Sequence, residues 1–401
     1  MSTDITPRFS LDQIDHGEFL DILSLRYTTC WRVSEHEITF PAARDYSIKL
    51  RTHHGQVEKV SAGSALTEAD LCELLEQVEA DLKDDRIAEY GVEILFAHKP
   101  VAGGFRFEAL PMQILAAPAE APRPPHLTAH HPFILEYPMR AYRTPELRLR
   151  RRHKNAMEWA WVLNALLQGS ITTYSSPRAP QLWALRNVVD PPFWATKSYS
   201  FPGFQIFANT LSEQVALLPV VGADAYFSDR LSSAIPDTLL NTFYLPDNLN
   251  RLVAAFVSLN GVKRRRFLRS AAAIYTAREL WEVSISSYFL ACVQAIETLV
   301  DRPSSPVRCP ACNRDVGPGP TRLFREFVER YCLTSGVKET TLKELYCVRS
   351  ALAHGDYLFQ LDEAPWAFNA GAMVARLGED EIYRSAITVA KTGLRNWLLS
   401  Q

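Results

Sequence analysis

Apolar side chains recur at the 3.6-residue spacing of α-helices throughout residues 246–401, and this pattern most constrains the fold. Five segments carry it: residues 249–257, 262–300, 323–331, 341–354 and 382–397. In the second segment a single apolar stripe runs from Trp281 to Leu299. Thr341 and Glu344 have the capping-box pattern that starts a helix, and Gly355 predicts where that helix ends. The region therefore predicts a helical bundle.

The first half of the chain has a different pattern. Short alternating or β-branched runs predict strands at 46–50, 57–60, 92–97 and 105–110. A helix is expected over residues 66–83, with Thr67 and Asp70 as its capping box. Another is expected over 146–167. The fold class is therefore α+β, with a mixed α/β N-terminal region followed by an all-α bundle. We expect domain boundaries after residues 116 and 245, with a proline-rich linker opening the middle region.

Charge and cysteine content limit the cellular compartment and the kinds of partner that the sequence predicts. The formal net charge is −2, so any surface that binds nucleic acid must be local. No apolar stretch approaches the ~18 residues that a membrane helix needs, and the first residues lack the features of a secretory signal. Seven cysteines, an odd number, are typical of reduced thiols rather than of a disulfide framework. These features predict a cytoplasmic protein that does not contact membranes.

Arg349 and His354, in the string LYCVRSALAHGDY, are the most informative pair for chemistry. A histidine titrates near neutral pH, so it can exchange a proton with a ribose hydroxyl. An arginine binds a phosphate with its planar fork and offsets charge that develops during reaction. Together they are suited to RNA cleavage in which the ribose supplies the nucleophile. That reaction requires no metal cofactor.

The spacing alone has low specificity. An arginine followed closely by a histidine also occurs at Arg148/His153 and at Arg123/His130. Five helical steps of about 100° place the two side chains about 140° apart. Arg349 and His354 would therefore converge only in a frayed helix end or in a site completed by a second chain. A helix-end histidine beside an unrelated surface arginine is the competing interpretation.

A family resemblance favours the first interpretation. KRRRFLRSAAAIYTA, QAIETLV, CPAC and LYCVRSALAHGD follow one another in residues 246–401, and in this order and spacing they resemble the HEPN superfamily, specifically Apea-like HEPN domains. The resemblance implies a homodimeric, metal-independent endoribonuclease in which Arg349 and His354 are catalytic. It also implies a polar residue after the arginine, here Ser350, and a supporting acid on an earlier helix, here Glu297. Glu297 as an ordinary solvated side chain is the alternative.

Cys309 and Cys312 have the spacing of half a zinc knuckle, within the turn-rich string RCPACNRDVGPGP. A second CxxC is absent from the sequence. Cys332 and Cys347 would complete a structural zinc site if the fold gathers them, whereas both lie in helical patterns where a buried, non-ligating thiol is more common. A zinc-dependent enzyme is disfavoured because no acidic or histidine set surrounds the CxxC.

A basic cluster comprising Lys263, Arg264, Arg265 and Arg266, extended by Arg269, is the candidate RNA-binding surface. Four consecutive cations at a helix start oppose the helix dipole, so we expect compensating partners. A solvated helix face is the alternative.

The sequence thus predicts an endoribonuclease, consistent with HEPN domains in prokaryotic anti-phage and abortive-infection systems. The N-terminal region would be its sensor or regulator, and a phage-derived or nucleotide trigger stays open. The competing hypothesis is a non-catalytic HEPN module for dimerisation or nucleic-acid binding. Trp366, Phe368 and Trp397 are candidates for a dimer interface, with burial inside one chain as the alternative.

Overall fold

The computed structural model confirms the α+β class, with strands concentrated in the first half and helices in the second. It describes residues 3–5, 19–20, 23, 31–34, 37–42, 46–53, 56–62, 67–83, 87–121, 131–140, 145–173, 200–213, 216–227, 239, 241–281, 283–301, 319–364 and 370–401. The chain forms two compact units. One comprises residues 1–91, 138–155 and 207–210, and the other comprises residues 92–137, 156–206 and 211–401.

The first unit contains an antiparallel sheet followed by a helix. Its strands are β1 (Thr3–Ile5), β2 (Trp31–Ser34), β3 (Glu37–Ala42), β4 (Tyr46–His53) and β5 (Gln56–Ala62), in the order β1-β5-β4-β3-β2. Leu50 of β4 faces Val60 of β5, and both are fully buried. Helix α1 (Glu68–Lys83) begins at the predicted capping box. There Thr67 Oγ1 accepts from the Asp70 backbone N–H at 3.2 Å, and Asp70 accepts from the Thr67 N–H at 3.0 Å.

A second sheet forms from later strands. They are β6 (Ile87–Ala97), β7 (Phe105–Arg106), β8 (Gln113–Ala116), β9 (His131–Arg140), β10 (Ile171–Thr173) and β11 (Phe207–Ala208). The order is β10-β6-β9-β8-β7, and β11 also pairs with β6. The strand predicted over 105–110 stops at Arg106 because the chain turns back on itself, with the Phe107 N–H donating to Met112 at 2.9 Å. Helix α2 (Pro145–Leu166) lies within two residues of its prediction.

The helices of the C-terminal region follow two small elements, a parallel pair of strands β12 (Val220–Val221) and β13 (Leu245–Pro246), and a short helix α3 (Ala223–Phe227). The remaining helices are α4 (Leu249–Ser258), α5 (Gly261–Leu280), α6 (Ile285–Leu299), α7 (Pro320–Tyr331), α8 (Glu339–His354), α9 (Gln360–Glu363) and α10 (Ala370–Leu399). Helix α10 contacts each helix from α4 to α9 and forms the centre of the bundle. Its Val389 and Leu394 are fully buried, as is Phe289 of α6.

Two predicted helix boundaries are wrong. The segment 262–300 is two helices, and Trp281 is the C-cap of α5 rather than part of the stripe on α6. Its half-buried ring packs 4.9 Å from the centre of the Tyr288 ring and 5.5 Å from that of Tyr383, which explains why it fits the spacing of the apolar stripe on α6. Thr341 does not start α8, because the N-cap is Lys338 and the Thr341 hydroxyl donates to Glu381 instead.

Residues 92–137 and 211–401 belong to the same compact unit, and the domain boundaries expected after residues 116 and 245 stay predictions. Among the described residues, no helix has the length and apolar character required to cross a bilayer. Trp366 and Phe368 lie outside the described residues, whereas Trp397 is buried within its own chain.

Candidate functional site

The C-terminal end of α8 is sharply defined. Gly355 takes the left-handed conformation at φ +78°, which glycine adopts without steric penalty. The Asp356 N–H donates to Ala351 at 2.9 Å and the Gly355 N–H donates to Leu352 at 3.2 Å, the two bonds of a Schellman-type end. His354 is thus the last helical residue, and its side chain is exposed.

Arg349 and Glu297 form a two-point ion pair between α8 and α6. The Arg349 Nε lies 3.1 Å from Glu297 Oε1, and Nη2 donates to Oε2 at 3.1 Å. Such a fork orients the guanidinium as well as binding it. The side chains retain 30% and 20% of their exposure, so the pair lies at the bundle surface and remains open to solvent. The structure therefore brings together two predicted site residues that are 52 positions apart in the chain.

Further contacts fix both helices that carry this pair. The Tyr346 ring lies 5.9 Å from the Arg349 guanidinium and 5.3 Å from the Phe324 ring of α7. On α6 the first turn is capped from a distance by Asp362, whose carboxylate accepts from the Ile285 N–H at 2.9 Å and the Ser286 N–H at 2.6 Å. Helix α6, and with it Glu297, therefore depends on the chain that follows α8.

The environment of Asp362 explains its ionisation. Partial burial alone would raise the pKa of the Asp362 carboxyl. Hydrogen bonds from Ser286, Ile285 and Ser284 outweigh that effect and hold its pKa below the usual value. Asp362 is the site residue that sequence reasoning missed. Its only local signal is an acidic residue in the first turn of a short helix, and the helix that it caps begins 77 positions earlier.

His354 and Arg349 do not share one face of α8. Because the helix is regular up to His354, five steps separate the side chains by about 140°. Ser350, next to Arg349, is half-buried. One chain therefore presents the arginine against α6 and the histidine at the helix end, pointing in different directions.

The four cysteines considered as metal ligands have different placements. Cys309 and Cys312 lie outside the described residues. Cys332 is fully buried, and a Cβ on Gly393 would approach its sulfur to 2.8 Å, whereas Cys347 is exposed. Burial raises the pKa of the Cys332 thiol to about 12, which opposes the thiolate that zinc requires. No group of three potential ligands gathers within the described part of the chain, and structural zinc stays a prediction.

The basic cluster forms the first turns of α5, behind an Asn260 cap whose side chain accepts from the Lys263 N–H at 3.0 Å. The expected compensation is present at two positions. Arg264 lies 3.6 Å from Glu158 and over the Phe256 ring, and Arg266 pairs with Asp301.

The other members of the cluster remain at the surface. Arg265 and Arg269 are exposed, and Lys263 is half-buried. The cluster is therefore a partly neutralised patch, in which the exposed cations are the ones able to contact a phosphate backbone.

Comparison with protein-family models, with curated proteins and with solved structures finds no match to this chain. The function must therefore be argued from the residues of the site.

Proposed function

We propose that this protein is a metal-independent endoribonuclease of HEPN type whose site is built on α8 and α6. The observation that carries the proposal is the two-point pairing of Arg349 with Glu297, five residues before an exposed histidine at a glycine-terminated helix end. Of the five guanidinium N–H groups, one on Nη2 is donated to Glu297, and the Nε lies at ion-pair distance from the same carboxylate. Three remain for the oxygens of a scissile phosphate.

The proposed reaction is an internal transfer. A His354 imidazole accepts the proton of the ribose 2′-hydroxyl, and the 2′-oxygen forms a bond to phosphorus. The bond from phosphorus to the 5′-oxygen breaks, and a second imidazole, in its protonated form, supplies the proton of the leaving oxygen. Arg349 stabilises the negative charge on the phosphate oxygens. The products are a 2′,3′-cyclic phosphate and a 5′-hydroxyl.

A homodimer would supply the second histidine. Because Arg349 and His354 diverge by about 140° on one chain, an isologous pairing of two α8 ends would place two arginines and two histidines around one cleft. It would also concentrate positive charge in a chain whose net charge is −2. Arg265 and Arg269 would extend the groove for RNA.

One observation favours a second candidate, a non-catalytic HEPN module for dimerisation or RNA binding. Glu297 already neutralises much of the Arg349 charge within the single chain. The two candidates differ in a single result, since the module binds RNA and leaves it intact.

The deciding experiment incubates mixed RNA with the full chain in EDTA. We expect cleavage in EDTA and product ends that resist phosphatase until acid opens the cyclic phosphate. Arg349→Ala should lower cleavage ~10²-fold. Arg322→Ala, which removes an exposed arginine paired with Glu326, should leave it unchanged. Activity that disappears in EDTA and returns with magnesium would overturn the mechanism. Binding without any cleavage by the wild type would favour the module.

The cellular role belongs to the same proposal. We place the enzyme in the cytoplasm, in a prokaryotic anti-phage response, with the N-terminal region restraining or triggering the bundle. If so, the enzyme purified without its trigger should cleave RNA slowly. The assay should therefore extend to enzyme concentrations in the micromolar range. Light scattering at those concentrations should give a dimer. A monomer that does not associate when RNA is added would contradict the two-histidine site.

A further inference from the structure

A partly open cavity of about 480 Å³ lies in the second compact unit, and none of the residues that line it belongs to the α8–α6 ion pair. Its wall comes from α3, the start of α4, the turn at 334–336 and the last turns of α10. Apolar and polar side chains both contribute, including Phe227, Leu252, Asn248, Thr392, Arg395 and Asn396. The volume is within the range of small-molecule sites, about 300–1,000 Å³.

Arg395 is the unusual residue in this wall. Only 8% of it is exposed, and its guanidinium stacks 3.8 Å from the centre of the Phe227 ring. Its one side-chain hydrogen bond within the described structure goes from Nη2 to Thr392 Oγ1 at 3.1 Å. A guanidinium has five N–H groups, so four are left without a protein acceptor there. Burial lowers the pKa of Arg395 to about 10, which keeps it charged at neutral pH.

A buried charge is normally paired with an opposite charge, because desolvation is otherwise too unfavourable. Within the described residues no carboxylate forms an ion pair with Arg395. Asp224, which also lines the cavity, is exposed and makes no ion pair with Arg395. The stacked Phe227 ring supplies only part of the missing compensation.

The neighbouring positive groups increase this imbalance. Lys391, one turn before Arg395, is 5% exposed and donates to the Leu167 carbonyl at 2.7 Å. Burial first, and then Arg278 and Arg395, hold the pKa of Lys391 well below its usual value. The interior around the last turns of α10 therefore has an excess of hydrogen-bond donors, and the charge of Arg395 is one of the causes that disfavour the charged form of Lys391.

A second feature of the wall also lacks a partner. Asn248 is the N-cap of α4, yet its side chain makes no capping hydrogen bond, and its Oδ1 is buried without a donor. The side-chain amide can rotate to present its NH₂ instead. The side chain of the N-cap residue therefore leaves the first turn of α4 uncapped, and Asn248 and Leu252 from this end of the helix line the same cavity.

We propose that this cavity binds a small molecule carrying a phosphate or carboxylate group, with that oxyanion held by Arg395. The planar fork of Arg395 matches either group. Leu252 and Leu399 give the remainder of the molecule an apolar wall. Because the inference depends on Arg395 and not on Arg349, it stands whether or not the protein cleaves RNA.

The test measures the thermal midpoint of the full chain and, by calorimetry, the dissociation constants of three probes: inorganic phosphate, adenosine 5′-monophosphate and succinate. We expect at least one probe to raise the midpoint of the wild type. Phosphate or the nucleotide alone would assign a phosphate site, and succinate alone a carboxylate site. Arg395→Met should weaken that probe at least tenfold. The matched control is Arg384→Met on the same helix, an exposed arginine paired with Asp380, and it should bind as the wild type does.

Without a probe, Arg395→Met should be at least as stable as the wild type, because an apolar side chain replaces an uncompensated buried charge. If this variant fails to fold, Leu252→Trp decides, since it fills the cavity, retains Arg395 and should abolish the shift. No shift with any probe in the wild type would overturn the proposal. Equal shifts in the wild type and in the variant that folds would do the same.

Discussion

Two helices of this protein carry an arginine followed five positions later by a histidine, and in both the arginine pairs with a glutamate from a neighbouring element. In α2, Arg148 pairs with Glu89 of β6, and in α8, Arg349 pairs with Glu297 of α6. The histidines differ. His153 lies inside a helix that continues to Leu166, whereas His354 is the last residue of its helix. The helix end, rather than the spacing or the ion pair, distinguishes the candidate site.

The arginines differ as well. The Arg148 guanidinium lies 3.7 Å from the centre of the Phe207 ring, and Glu89 retains only 11% of its exposure. That pair therefore joins a strand to a helix through a largely covered glutamate and an arginine that retains 39% of its exposure. Arg349 has only the more distant Tyr346 ring, at 5.9 Å. Exposure does not separate the two arginines, since Arg349 retains 30%. We infer from the helix end at His354 that the second pair is the one that meets a substrate and that the first stabilises its unit.

The largest expected difference is between the two histidines. His354→Ala should lower the rate of RNA cleavage ~10²-fold or more, the usual loss for an acid–base group. His153→Ala, which removes the same side chain from an exposed position in the middle of a helix, should leave the rate unchanged. Cleavage assays on both variants, with circular dichroism as the folding check, make the comparison. Equal cleavage rates for His354→Ala and His153→Ala would contradict the catalytic role of His354.

The two arginines should separate activity from stability. Arg349→Ala should lower activity by ~10²-fold, because charge stabilisation of the phosphate is lost. Arg148→Ala should leave activity unchanged and lower the free energy of unfolding by about 1 kcal/mol, since it leaves the Glu89 carboxylate without its partner. Urea unfolding and cleavage are measured on both proteins. An Arg148→Ala variant that loses activity while remaining folded would contradict the prediction that Arg148 contributes only to stability.

Replacing the paired acids gives a smaller effect of the same kind. Glu297→Gln keeps an acceptor for Arg349 but loses the negative charge and the second carboxylate oxygen of the ion pair, so we expect about a tenfold loss of activity. The matched variant Glu89→Gln should affect only stability. If Glu297→Gln were as active as the wild type, Glu297 would be an ordinary surface partner of Arg349 and not a positioning residue.

The smallest effect should come from the helix end. Gly355→Ala places a Cβ at φ +78°, which is unfavourable by about 1 kcal/mol even though no neighbouring atom would clash. We expect that loss of stability and a several-fold loss of activity, because the turn that presents His354 is distorted. Gly203→Ala is the control, with φ +81° and equally open surroundings, and should show the stability loss alone. Equal activity in the two variants would separate the helix end from catalysis.

What could be read from the sequence was mostly local. The Thr67–Asp70 cap and the Gly355 stop depend on residues a few positions apart, and both were predicted correctly. Trp281 fits the spacing of the α6 stripe, but it is the C-cap of α5 and packs against Tyr383 on a helix about 100 positions later.

The parts of the site that join distant segments were harder to predict. The Glu297–Arg349 contact was expected through family resemblance, not through periodicity. Nothing in the string TGLRNW distinguishes Arg395, a buried arginine without a carboxylate, from an exposed one on an amphipathic helix.

The capping of α6 by Asp362 has a mechanical consequence. Residues 349–362 contact α6 near both of its ends. Asp362 accepts a hydrogen bond from the backbone of Ile285, and Arg349 pairs with Glu297. Those two points are about 18 Å apart along the helix axis. A shift of α6 by one residue along its axis would break one of these two contacts. Residues 349–362 therefore fix the position of Glu297 along the helix axis, so that it stays beside Arg349.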